Sequence, residues 1–209
     1  MIKIIRYTFF DLIRSSWTYF YLGFYLLLGI ILLFINNDIS KSVITMMNVI
    51  TILIPLIATI FGVMYYYNSR EFIELLLGQP LKRINIFAGQ YIGISLSLSL
   101  SLLIGLGLPF LFYGLFLSNE IFNFLMLIIT GIFLNFIFVG FSYLIGLYNE
   151  NKIKGFSLAI LVWLFMAVIY DGIFLLSLLM LKDYPLEELS MGMTLFNPID
   201  LSRILILLK

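Results

Sequence analysis

The chain has 209 residues, of which 63% are hydrophobic and only 11% charged, with a net charge of +1. Soluble domains run at about 45–50% apolar and about 25% charged, so this composition leaves too little polar surface to cover a globule in water, and so small a net charge speaks against a nucleic-acid partner. With neither cysteine nor histidine, disulfides, zinc sites of the usual kind, His-held haem and Cys–His or Ser–His–Asp catalysis are excluded.

Residues 1–16 are too charged to insert and too apolar to float free. On a helical wheel Ile2, Ile5, Phe9, Leu12 and Ile13 share one face, with Lys3, Asp11 and Arg14 opposite. That pattern predicts a helix lying in the membrane interface with its basic side toward the headgroups, the alternative being the basic flank of a retained first span. No small-residue cleavage site follows the first apolar run, which argues against a cleaved signal peptide.

A membrane-crossing helix needs about 20 mostly apolar residues to span about 30 Å of hydrocarbon. Five segments qualify, at 17–36, 43–66, 87–117, 121–147 and 155–181. Pro109, flanked by Gly105, Gly107 and Gly114, predicts a kink or break in the third. The alternation Ser95, Ser97, Ser99, Ser101 with Leu looks like a strand. An open strand leaves its backbone unsatisfied in lipid, so a helix is expected there, with small residues that let neighbours approach.

Lys3, Arg6, Arg14, Arg70, Lys82, Arg83, Lys152 and Lys154 fall on the amino-terminal side of the membrane, against Lys41 and Lys182 opposite. The opposite side collects Asp38, Glu120, Asp183, Glu187 and Glu188. The bias predicts a cytoplasmic amino terminus. Tyr65, Tyr66, Tyr67, Trp17 and Tyr19 at span ends fit an aromatic belt.

Between the second and third spans the polar loop N-S-R-E-F-I-E-L-L-L-G-Q-P-L-K-R predicts a short helix over 69–80. Ser69 is placed as its cap and Glu71 in its first turn, and Gly78 and Pro80 end it. Glu71 and Glu74 lie to one side, while Phe72, Leu75 and Leu76 form an apolar ridge. Such a helix either docks into a groove of another protein or tucks beneath the bundle. Asp171 is the single acid well inside a span. Burying a charge there costs about 2.5–3.5 kcal/mol, which points either to a place on a translocation path or dimer seam, or to a protonated carboxyl bonded to Tyr170 or a neighbouring span. Met191 and Met193 offer two thioethers, a thin basis for copper(I), and gap-filling is the expected role.

The stretch from Ser69 to Arg83 resembles the loop by which ABC exporter membrane subunits couple to their ATPase. Together with N-E-N-K-I-K-G (149–155), W-L-F-M-A-V-I-Y-D-G (163–172) and N-P-I-D-L-S-R (197–203), it is most similar to the NosY family, the permeases of the nitrous-oxide-reductase maturation transporter. The resemblance implies a six-span permease paired as a homodimer, a separate NosF-like ABC ATPase binding ATP and magnesium, and a periplasmic NosD-like partner. Copper–sulfur centre assembly would be the process served. The chain has no G-x-x-x-x-G-K-[ST] phosphate loop, so it is expected to be a non-catalytic subunit without a cofactor or metal of its own. Arg70, Glu71, Phe72, Glu74, Leu75, Leu76, Gln79 and Pro80 are the residues expected to meet the ATPase.

The expected fold is thus an all-α integral membrane protein, one domain over 1–209. It comprises an amino-terminal interfacial helix, five complete transmembrane helices in a bundle, and a cytoplasmic coupling helix. Residues 182–209 would be an external segment and the shortened start of a sixth span, Leu201–Leu208 being too short to cross. The expected location is the bacterial inner membrane. The alternatives are a general ABC exporter permease for lipid, peptide or drug, and a proton-coupled carrier using Asp171.

Overall fold

The computed structural model describes residues 1–36, 38–118, 120–180 and 186–207. Lys182, Asp183, Leu208 and Lys209 lie outside them. Among the described residues the chain is helical with no strand, and five of its helical stretches are long and apolar enough to cross a membrane. The chain is an all-α, multi-pass membrane bundle.

The first helix, α1 (Ile2–Arg14), is separated from α2 (Ser16–Asn36) by Ser15, whose φ of −70° and ψ of 136° are extended and break the helical path. Thr18 pins the joint by donating its hydroxyl to the Leu12 carbonyl at 2.5 Å. α1 differs from expectation in the face it buries. Ile4, Thr8 and Leu12 turn inward, whereas Ile2 is 81% exposed. The partner on that side is the helix Arg83–Phe112, and its shape selects the residues that fit.

α3 (Ile39–Asn68) begins before residue 43 because Asp38 caps it, accepting the Ser40 N–H at 3.1 Å. A short helix, α4 (Arg70–Leu77), follows. α5 (Arg83–Phe112) stays helical through Pro109, which sits in its last turn where the missing N–H removes a single bond, and the break expected in this segment falls just beyond it, at Tyr113 and Gly114. Gly114, at φ 95°, then turns the chain through a left-handed conformation into the 3-10 turn Leu115–Leu117. α6 (Ile121–Tyr148) comes next.

The fifth long stretch, Lys152–Met180, is α7 (Lys152–Leu164), a π-helical segment Phe165–Ile169, and α8 (Tyr170–Met180). Asn151 starts it by accepting the N–H groups of Ile153 and Lys154. α9 (Leu186–Phe196) and α10 (Pro198–Leu207) close the described chain.

α2, α3, α5 and α6 pack as the central group, with α7 against α3 and α6 and α1 against α5. α5 is the central helix: 61% of its apolar window is buried, against 11% for Lys152–Met180. The serine run lies in α5 as a helix, all four hydroxyl residues buried. Ser95 and Ser101 donate to carbonyls four residues back, at 2.9 and 3.0 Å. Glycines set the closest approaches. A β-carbon on Gly62 would fall 2.6 Å from the Ser142 β-carbon, and one on Gly93 2.8 Å from that of Thr8.

The segment expected as external instead folds back on the bundle in its described part. Tyr170 donates its hydroxyl to the Met193 carbonyl at 2.5 Å, and the Asn197 amide donates to the Met166 carbonyl at 2.8 Å. α9 therefore runs antiparallel to α8 and ends near the middle of the fifth stretch. α10 then packs on α3 and α6, with Ile199 fully buried in the common core.

Candidate functional site

Two places gather the residues singled out by sequence. The first is α4, at the end of the bundle where the Lys- and Arg-rich turns meet. Glu71 in its first turn suits the positive helix end, and Pro80 bars continuation beyond Gly78. Ser69 precedes the helix, but its hydroxyl donates to the Tyr66 carbonyl at 3.3 Å and does not cap the next turn.

The expected apolar ridge is divided. Ile73, which the spacing argument passed over, is 4% exposed and packs with Ile4 of α1 and Ile86 of α5. Burying such a side chain contributes about 1.5–3 kcal/mol, enough to fix an eight-residue helix to the bundle. Phe72 stacks on Tyr7 of α1 at 4.8 Å between ring centroids, and Leu76 packs beside this cluster. Leu75 alone points away, 70% exposed. Glu71, Gln79 and Pro80 are also exposed.

Arg70 links α4 sideways. Its Nε donates to Glu74 at 3.1 Å, and its Nη1 donates to the Glu150 carbonyl, in the turn before α7, at 3.2 Å. The Arg70–Glu74 pair is too exposed to contribute more than about 1 kcal/mol, and its effect is to orient the guanidinium.

The tyrosines expected in an aromatic belt hold this end together. Tyr65 donates to the Asp11 carboxylate at 3.1 Å, and Tyr67 donates to the Asn149 carbonyl at 2.7 Å. Tyr66 meets Tyr143 edge-on at 5.6 Å. α4 is thereby coupled through its immediate neighbours to α1, α5, α6 and the turn before α7.

The second place is the network around Asp171. Its Oδ2 accepts a hydrogen bond from Arg203 Nη1 at 2.7 Å, and the same guanidinium nitrogen reaches Asp200 Oδ1 at 3.2 Å. Asn197 donates to Asp200 Oδ2 at 2.8 Å as well as to the Met166 carbonyl in the π segment. The partner expected for Asp171 was Tyr170 or another span, but Tyr170 is engaged with Met193. The partner is a cation from α10.

π-helical turns concentrate at functional sites, and this one presents the Met166 carbonyl to Asn197. Of the two methionines, Met193 packs its sulfur on the Ser177 hydroxyl at 3.3 Å, and Met191 is 68% exposed. Among the described residues no three carboxylates converge in a metal-binding group.

Sequence missed Ile73, Tyr7, Asn197, Asp200 and Arg203 as members of these sites. The available signal was Asp200 and Arg203 three residues apart within an otherwise apolar run. No protein-family model matches the chain, and no curated protein matches it.

Proposed function

We propose that the chain is the membrane subunit of an ATP-driven ABC exporter, gripped through α4 by a separate cytoplasmic ATPase. One observation supports this most: α4 is clamped to the bundle by Ile73, Phe72 and Arg70 while it holds Leu75 and Glu71 outward. A push on the outward face reaches α1, α5 and the turn before α7 through these contacts. The Lys and Arg bias favours a cytoplasmic side for this end, with the amino terminus.

The resemblance of 69–83 and three later segments to the NosY family favours a permease pair serving copper–sulfur centre assembly, with a NosD-like protein on the far side. A general exporter of lipid, peptide or drug uses the same architecture. A proton-coupled carrier worked by Asp171 has less support, because Arg203 already occupies that carboxylate at 2.7 Å.

The test is co-expression with a candidate ABC ATPase from the same genome and purification through a tag on the chain alone. Retention of the ATPase with nucleotide-stimulated turnover supports the proposal. An ATPase that washes away while the chain stays folded contradicts it.

A further inference from the structure

Because α1 buries Ile4, Thr8 and Leu12 against α5, its outer side is the stripe Lys3, Arg6, Tyr7, Phe10 and Arg14. The stripe follows the i, i+3, i+4, i+7, i+11 spacing of one helical face and sets two aromatic rings between cations. Among the described residues none of the three cations has an ion pair. Arg6 lies over the Phe10 ring at 5.7 Å, while Tyr7 and Phe10 are 51% and 47% exposed. Asp11 is the acid in the same hollow, and its carboxylate already accepts the Tyr65 hydroxyl.

The hollow along this stripe, about 580 Å³, shares Lys3 and Tyr7 with a second trough of about 680 Å³ between α1 and α4. The trough is lined by Ile4, Phe72, Leu76 and Leu81, with Gln79 beside them. Unpaired cations beside an apolar trough fit a ligand that is negative at one end and hydrocarbon at the other.

We propose that this trough is a binding site for an anionic phospholipid, with the phosphate at Lys3 and Arg6 and an acyl chain laid between α1 and α4. The lipid would wedge the two helices against each other on the side of α4 that Leu75 leaves free. The site requires only that α1 and α4 lie at a membrane surface and is independent of the ATPase reading.

The experiment is native mass spectrometry of the detergent-purified chain, titrated with phosphatidylglycerol and with phosphatidylcholine of the same acyl chains. The wild type retains phosphatidylglycerol preferentially. Lys3→Gln and Arg6→Gln each lower that preference about fivefold, the effect of one cation near an anionic lipid. Leu76→Trp, which fills the trough without touching charge, lowers retention of both lipids. Lys154→Gln, an exposed cation at the same end outside the trough, leaves retention unchanged. All variants are compared only where they elute as the wild type does.

Equal retention of the two lipids, or a Lys154→Gln effect as large as that of Lys3→Gln, overturns the site. So does phosphatidylglycerol retention unchanged by Leu76→Trp; loss of a co-purified protein in that variant would then assign the trough to a protein partner.

Discussion

Arg203 Nη1 lies 2.7 Å from Asp171 Oδ2, tying α10 to the fifth long helical stretch across 32 residues of chain. The same nitrogen reaches Asp200, so one guanidinium stands between two carboxylates. Its loss leaves like charges facing each other with side chains only 31% and 13% exposed.

Arg203→Ala should therefore lower stability by about 1–2 kcal/mol, between the values for exposed and fully buried pairs. The double change Asp171→Asn with Arg203→Gln should recover part of the loss. Thermal unfolding in detergent measures both, and a single variant as stable as the wild type would refute the role given to the pair.

Asn197→Leu strands the Met166 carbonyl and one Asp200 oxygen, a cost of about 1–3 kcal/mol. Because the chain has no cysteine, the result can be read directly with Ser177→Cys and Met193→Cys, whose native side chains touch at 3.3 Å. A short bifunctional thiol reagent should join the pair in the parent and do so less in the Asn197→Leu background. Undiminished joining would show that Asn197 does not hold α9 in place.

What the residues disclosed follows the range of the forces involved. Length and hydropathy alone located all five long stretches, because lipid demands about 20 apolar residues whatever the packing. Ends were displaced where a cap decided them, at Asp38 and Asn151. The orientation of α4 was not legible. Eight residues are too few for periodicity to choose a face, and the choice of Ile73 over Leu75 was made by Ile4 and Ile86 far along the chain. Asp171 was found as an anomaly, but its partner sits on a helix whose return path no local pattern encodes.

Helix contacts built on glycine provide a test by contrast. Gly62→Ala places a β-carbon 2.6 Å from Ser142 and should cost about 1–3 kcal/mol, as overpacking does. Gly107→Ala, with nothing within 4 Å of the added carbon, should be neutral or stabilising by up to about 1 kcal/mol. Equal midpoints for the two variants would contradict the close α3–α6 approach.

The proposed drive through α4 is tested most directly by a photoreactive side chain at Leu75, the 70%-exposed residue of that helix. A control at Phe112, 88% exposed at the end of α5 away from α4, samples the opposite end of the bundle. With the ABC ATPase that co-purifies with the chain co-expressed, irradiation should yield an adduct between the ATPase and position 75 and none from position 112. No adduct at 75, or equal adducts at both positions, would contradict the account.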